Sequence, residues 1–414
     1  MLSSRTKADP PRSFDAKVEP HGTKPSRHRP QGPSSAAGGR LGRQGVLTSI
    51  TVLLALVLAA CGSSSSPSST SSASKADQAT STAAASAAIA PFIGRPSAFP
   101  VKTPLGKKLP PGTKFAYLQC STTICALVGQ LLGPAVKRIG ATMTIVNSGA
   151  TASSSQAAVS SVLAMKPAAV LVAGVDPAQF GGGLKQLSDA GVKVVSISVS
   201  KATAPFGITF DYIGAATAES GGRLMADWVI ARQGVRSNIV FYGVPALDFS
   251  SYMQKAFTGE VAKNCPSCKV RTVALDIATV GTTAPQTVTT DLQSHNGTTV
   301  AVFATSEATK GLPAALSAAG LKVATLGYAP TPGNLQDIKD GKLTAGLGVD
   351  LAVSGWVVID AAARLILGEL VTPEEQAGEV PRQFLEQKDI TFDPSHGWTG
   401  YPDFPQRFAK LWVA

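Results

Sequence analysis

The feature that most restricts the fold is a regular alternation of short apolar runs with helical patterns from residue 113 to residue 370. Short apolar runs bounded by turn residues predict buried β-strands, and apolar residues three or four positions apart predict amphipathic helices. Strands that alternate with helices form right-handed βαβ units, which build a parallel sheet, so the chain is expected to be an α/β protein. The predicted strands are 115–119, 142–146, 168–174, 192–198, 238–244, 269–275, 299–305, 322–328 and 344–350.

The alternation forms two series of similar length, which a helical pattern over 215–233 separates. Two such series predict two similar Rossmann-like lobes with parallel sheets, joined by a hinge near 210–236 and by further crossings after about 350. Ligands bind outside the carboxyl ends of parallel strands, so two facing sheets place strand-end loops on both walls of one cleft. This geometry suits a protein that closes around a ligand. The other predicted helices are 124–139, 154–165, 179–190, 250–263, 284–294, 307–319, 332–340 and 352–368.

An uncharged apolar segment, VLTSITVLLALVLAA, occupies residues 46–60 and follows Arg40 and Arg43. It has the length of a signal-peptide h-region and is shorter than the roughly 20 residues of a membrane-spanning helix. The junction LAAC at 58–61 resembles the lipobox of bacterial lipoproteins, in which the cysteine thiol accepts a diacylglycerol. We therefore predict that Cys61 is the lipidated N-terminus of an exported protein anchored to the outer face of the cell membrane.

Net charge argues against a nucleic-acid partner. The chain carries +11, but residues 1–45 hold nine Lys/Arg and three Asp/Glu, or +6, which leaves +5 for the remainder. That remainder has no arginine-rich helix with interleaved aromatic residues, the pattern that contact with phosphate backbones favours.

These patterns divide the chain into five segments. A basic leader and lipoprotein signal peptide occupy 1–60, and a Ser/Ala/Thr-rich tether with a proline-rich lead-in occupies 61–112. The N-terminal lobe covers 113–220, the C-terminal lobe covers 221–350, and a crossover helix with the C-terminal tail covers 351–414. The Ser/Ala/Thr run cannot bury enough apolar area to offset its chain entropy, so we expect it to be a flexible tether.

Without Cys61, the five cysteines reduce to two close pairs, Cys120 with Cys125 and Cys265 with Cys268. An even number of cysteines in an exported protein predicts disulfides, and each would fix a local turn. A thioredoxin-type redox role for the CPSC motif would require its first cysteine at a helix N-terminus after a strand, whereas here the motif follows a helical pattern. No histidine has zinc-ligand spacing to these cysteines, so we predict no metal and no cofactor.

Four segments carry a resemblance to a known family. They resemble the type I periplasmic binding proteins of the ribose-binding, sugar ABC transporter class, and the tail FPQRFAKLW resembles that of actinobacterial lipoprotein members. The resemblance covers about 113–370 and implies a lipid-tethered, non-enzymatic receptor that captures a small solute by hinge closure and delivers it to an ABC import permease. A ligand-sensing receptor for a membrane signalling partner uses the same clamshell and stays an alternative. The segments are 165–199, 215–230, 304–322 and 334–356.

The chain departs from this class at the positions that usually hold sugar-binding residues. In place of an aromatic residue, an Arg, an Asn-Asp pair and an Asp, it has Cys120-Ser121-Thr122, Tyr252-Met253-Gln254, Ser306-Glu307 and Gly327-Tyr328-Ala329. Charged side chains discriminate between ligands through bidentate hydrogen bonds. Their replacement indicates a less polar or differently charged solute, or a member that no longer binds sugar.

We predict ligand-binding side chains in strand-end loops of both lobes. Some have a structural alternative: Asp176 and Asp350 are also suited to cap helices, and an acid at Glu307 also complements a helix dipole. Phe249 is also at helical spacing from Met253, so it is equally suited to a position in the core. The predicted set is Ser121, Asp176, Phe249, Tyr252, Ser306, Glu307, Tyr328 and Asp350.

Overall fold

The computed structural model describes residues 75–199 and 203–412. The predicted leader, signal peptide and Cys61 lie outside these residues. The strands of the first lobe are β1 (Lys114–Cys120), β2 (Thr142–Gly149), β3 (Ala169–Ala173), β4 (Lys193–Ile197) and β5 (Phe210–Tyr212). They form a parallel sheet in the order β2-β1-β3-β4-β5. Every residue of β3 is buried, as expected for a central strand that is covered on both faces.

The second lobe contains a six-stranded sheet in which one edge strand is antiparallel. Its strands are β6 (Asn238–Gly243), β7 (Lys269–Ala274), β8 (Val300–Phe303), β9 (Ala324–Tyr328), β10 (Ala345–Val349) and β11 (Arg382–Glu386). The order is β11-β10-β9-β8-β6-β7, and β11 pairs antiparallel with β10. The two α/β lobes expected from the sequence are confirmed.

Helices cover both sheets, and two of them define where the chain changes lobe. The helix over Leu351–Leu367 packs against the first sheet, whereas the helix over Ala215–Gln233 packs against the second. The helices are α1 (Lys75–Ile89), α2 (Thr123–Arg138), α3 (Ala152–Met165), α4 (Gly183–Asp189), α5 (Ala215–Gln233), α6 (Asp248–Asn264), α7 (Ala284–Ser294), α8 (Leu312–Ala318), α9 (Pro332–Lys339), α10 (Leu351–Leu367), α11 (Pro373–Gln376) and α12 (Phe404–Leu411).

The chain crosses between the lobes at 213–214, between β5 and α5, and again at Asp350, between β10 and α10. A third crossing, at 377–381, returns the chain from α11 to β11. Each crossing is short, so the hinge consists of a few residues between elements that pack firmly in one lobe or the other.

The expected tether differs from the structure. Residues 75–89, in the Ser/Ala/Thr run, form α1, which packs along α5. Alanine has the highest helix propensity, and Ala85 and Ile89 are only 2% and 1% exposed. The expectation of flexibility was therefore wrong for α1. The segment has little apolar area of its own, but it buries that area against the surface of α5.

Both predicted cysteine pairs are bonded, with S–S distances of 2.03 Å for Cys120–Cys125 and 2.07 Å for Cys265–Cys268. The second pair connects the end of α6 to the start of β7, so its first cysteine is not at a helix N-terminus. Over 75–199 and 203–412, no helix is both long and apolar enough to cross a bilayer, and no three His, Cys, Asp or Glu side chains are grouped to hold a metal ion.

A buried ionic cluster fixes α10 to the segments around it. The Arg364 side chain is 2% exposed, and its Nε lies 2.7 Å from Asp360 Oδ2 and 3.3 Å from Glu375 Oε2. Arg364 also donates to the carbonyl of Thr103 in the lead-in, and the Trp412 indole donates to Asp360. Burial, with Asp360 nearby, raises the pKa of Glu375 to about 8. The cluster therefore holds α10, α11, the lead-in and the C-terminal tail together.

Glu375→Gln should make stability less dependent on pH. The native state holds the Glu375 proton more tightly than the unfolded chain does, so this group stabilises the fold at low pH and loses that contribution as pH rises towards 8. The slope that it adds to the free energy of unfolding is at most about 1.4 kcal/mol per pH unit. Glutamine still accepts from Thr372, so we expect a flatter profile between about pH 5 and 8 in urea unfolding. The neighbouring Glu374→Gln should keep the parent slope; equal slopes in all three proteins would refute the assignment.

Candidate functional site

A cavity of about 50 Å³ lies between the lobes, at the carboxyl ends of strands from both sheets. The first lobe contributes the start of α2 and the ends of β3 and β4, and the second contributes the loops after β6, β8, β9 and β10. The lining residues are Ile124, Cys125, Val128, Ala173, Gly174, Ile197, Ser198, Leu247, Phe249, Thr305, Tyr328, Ala329, Val349 and Leu351.

Direct contacts hold the two walls together beside this cavity. Val175 and Leu247 form an isolated antiparallel bridge, and the Asp248 N–H donates to the carbonyl of Gly174 at 3.3 Å. Across the cleft, Glu307 Oε1 accepts from the Thr123 N–H at 3.0 Å. These contacts place the strand-end loops of the two sheets against each other.

Glu307 connects the second lobe to the N-terminus of α2, where unpaired backbone N–H groups favour a negative charge. The residue is 3% exposed, and its Oε2 has no hydrogen-bond partner. Burial raises the pKa of this carboxyl, while the backbone N–H groups of Ile124 and Thr123 lower it. The sequence predicted a cleft position for Glu307, and the structure places it at the contact between the lobes, next to the cavity.

Phe249 and Tyr328 are the two predicted residues that line the cavity. Their ring centroids are 6.0 Å apart, and the Tyr328 ring packs against Gly221 of α5. Burial raises the pKa of Tyr328 to about 12, so its hydroxyl stays protonated at neutral pH. This hydroxyl is buried and has no hydrogen-bond partner.

Three residues that end strands turn the chain at the cavity through the left-handed backbone region. Gly174, Ser198 and Ala329 have φ angles of 64°, 64° and 52°. Each is fixed by a hydrogen bond from its N–H to the carbonyl of a neighbouring strand residue. This conformation is unfavourable for serine and alanine, so two positions in the cavity wall hold backbone strain that the surrounding sheet stabilises.

Asp350 was expected to contact a ligand, but its carboxylate is directed elsewhere. Its Oδ1 accepts from the Val353 N–H at 3.0 Å, which caps α10. Its Oδ2 accepts from the Thr399 hydroxyl and the Gly400 N–H, both at 2.8 Å. The residue is fully buried, and burial raises its pKa to about 6. These contacts give Asp350 the capping role that the sequence had left as an alternative.

The remaining predicted residues do not line the cavity. Ser121 is exposed, and Tyr252 is half-buried on α6. Asp176 accepts from the Ala178 N–H at 2.9 Å and caps a short 3₁₀ turn. Ser306 packs beneath Gly327. A Cβ atom added at Gly327 would lie only 2.3 Å from the Ser306 Oγ.

Most of the cavity wall was not predicted, because its residues are apolar. Ile124, Val128, Ile197 and Leu247 have the composition of core residues in the sequence. Position distinguishes three of them, since Ile197 ends β4, and Ile124 and Leu247 shortly follow the ends of β1 and β6. In an open parallel sheet this edge faces the ligand. Val128 lies in the second turn of α2 and has no such signal.

A family model for the periplasmic binding protein domain matches residues 121–370. The chain belongs to this family. The match confirms the resemblance to periplasmic binding proteins and agrees with the two lobes and the cavity between them. It does not extend to the tail that resembles actinobacterial lipoproteins. No curated protein is similar enough to the chain to match it.

Solved structures of similar fold come from several bacteria. A solute-binding protein from Actinobacillus succinogenes 130z with bound D-allose is 18% identical, has a TM-score of 0.59, and matches over 68% of this chain and 99% of its own. An Agrobacterium vitis solute-binding protein with bound allitol is 21% identical, has a TM-score of 0.58, and matches over 67% of this chain and 96% of its own. The Caulobacter myo-inositol binding protein is 19% identical, has a TM-score of 0.59, and matches over 70% of this chain and 97% of its own. At these identities the likeness establishes the fold.

Glu307→Ala should shift the unliganded protein towards a more open form. The change removes the acceptor of Thr123, a charge-assisted hydrogen bond between the lobes worth about 1.5–3 kcal/mol. Small-angle scattering should show a larger radius of gyration than in the parent. Glu219→Ala is the matched control, because its ion pair with Arg223 is exposed and worth little. A radius unchanged from the parent would show that Glu307 does not hold the lobes together.

Proposed function

We propose that the protein is a lipid-anchored extracytoplasmic solute-binding protein that captures a small molecule between its lobes and delivers it to an ABC import permease. The observation that carries this proposal is the composition of the cavity wall, to which both lobes contribute. A solute that contacts both walls binds the closed form better than the open form, and so shifts the population towards closure.

The hinge supports the same function. Three short crossings join lobes whose helices and strands pack within their own lobe. The polar contacts at the cleft include a bridge between two residues and hydrogen bonds from the N–H groups of Thr123 and Asp248. Contacts of this kind can be broken and re-formed while each sheet keeps its own hydrogen bonds, as hinge closure requires.

The absence of a catalytic constellation in the part of the chain that the structure describes also favours a binding role. The cavity there has no nucleophile beside a base and no pair of carboxylates. Cys125 at the cavity wall is in a disulfide. We therefore propose that the solute is bound and released unchanged.

The lipid anchor can be tested at Cys61. Cys61→Ala removes the thiol that would accept the diacylglycerol, so the protein should stay unprocessed or be released from the membrane. Fractionation of cells and mass spectrometry of the N-terminal peptide measure this directly. Cys265→Ser, which removes a cysteine of a disulfide instead, should remain membrane-bound. If Cys61→Ala is processed and retained like the parent, Cys61 is not the anchor.

Solute capture can be tested with a variant that fills the cavity. A thermal-shift screen of sugars, polyols, purines, amino acids and small apolar molecules should find a solute that raises Tm and lowers the radius of gyration. Ala173→Phe places a ring in the cavity wall and should lower the affinity for that solute at least tenfold, about 1.4 kcal/mol. Ala190→Phe, on the exposed surface of the same lobe, should bind it like the parent. Full affinity in Ala173→Phe would place the binding site elsewhere.

A further inference from the structure

The cavity wall has little with which to recognise a sugar. Among the lining residues that the structure describes, none is Asp, Glu, Asn, Gln, His, Lys or Arg. The side-chain hydrogen-bonding groups are the hydroxyls of Ser198, Thr305 and Tyr328. Of these, Thr305 already accepts from the N–H of Glu307 as a cap.

A polyol in this cavity would leave most of its hydroxyls without partners. Each sugar hydroxyl that loses water on closure needs a donor or an acceptor in the protein, since an unsatisfied buried hydroxyl is costly. The charged side chains that could supply several hydrogen bonds each are not in the described wall. Glu307 lies beside the cavity, but it is engaged with the N-terminus of α2.

Apolar side chains from both lobes face each other across the space. Ile124, Val128 and Ile197 form the wall of the first lobe, and Leu247 and Phe249 lie opposite them. A cavity lined by aliphatic and aromatic side chains excludes water readily and accepts small apolar molecules. Because the cavity is small, the lobes must part slightly to admit a ring, and the short crossings between them permit this movement.

We infer that the cleft takes a compact, uncharged and mainly apolar solute, a small cyclic or aromatic alcohol, rather than a sugar. This inference rests on the proposed function, because it names the class of solute for the same cavity. The apolar body of such a solute would contact both walls, and its one hydroxyl would need only one of the few hydroxyl-bearing side chains in the wall.

The test compares cyclohexanol with myo-inositol, which have the same six-carbon ring and differ in the number of hydroxyls. We expect isothermal titration calorimetry of the mature protein to give cyclohexanol an affinity at least tenfold higher than that of myo-inositol. Cyclohexanol should also raise Tm, because a solute that binds the folded protein stabilises it by mass action. Phe249→Ala, which removes an aromatic wall, should reduce the affinity for cyclohexanol at least fivefold. Phe206→Ala, at a half-buried phenylalanine outside the cavity, is the matched control.

The outcomes separate the class of solute from solute capture itself. Tighter binding of myo-inositol, or of D-allose tested alongside it, would overturn the apolar class and leave capture by closure intact. Failure of both cyclohexanol and phenol to bind would also overturn the inference. Equal losses in Phe249→Ala and Phe206→Ala would show that binding is not in this cavity. The proposal of solute capture would be refuted only if no molecule in the wider screen closed the lobes.

Discussion

One buried carboxylate, that of Asp350, fixes the chain where it crosses from the second lobe to the first. It stands at the crossing where β10 of the second lobe leads into α10 of the first, and it caps that helix. The other oxygen of the carboxylate holds Thr399 and Gly400, so the C-terminal tail is fixed at the same point. A buried acid is costly unless its oxygens are paired, and here three donors satisfy it. The direction in which α10 leaves the second sheet follows from this arrangement.

Polar and apolar contacts have different tasks at the cleft. Glu307 and the bridge at Val175 and Leu247 bring the lobes together at the edge of the cavity, and the cavity itself is apolar. The polar contacts are directional, so they determine how the lobes meet. Apolar burial depends on area and scarcely on direction, so it leaves the wall able to accept solutes of different outline. The identity of the solute therefore depends on side chains other than those that align the lobes.

Much of the fold could be predicted because the helix and strand periods are clear, and the helices over 215–233 and 284–294 have the predicted bounds. The three-residue β5 is too short to give a pattern, and α1 depends on a neighbouring helix that local composition does not reveal. In the site, Phe249 could be placed because it follows a strand, and Tyr328 because it ends one. Asp350 could not, because the sequence does not show that Thr399 and Gly400 fold back to it. From the sequence, lining residues such as Val128 cannot be distinguished from residues of the hydrophobic core.

The docking of α1 on α5 determines which part of the molecule would move. Because α1 packs along α5, it belongs to the second lobe although it precedes the first lobe in the sequence. When the lobes part, α1 would move with the second lobe. A pull on the chain at Lys75 would therefore act on the second lobe, and the first lobe would be the part that changes position relative to it.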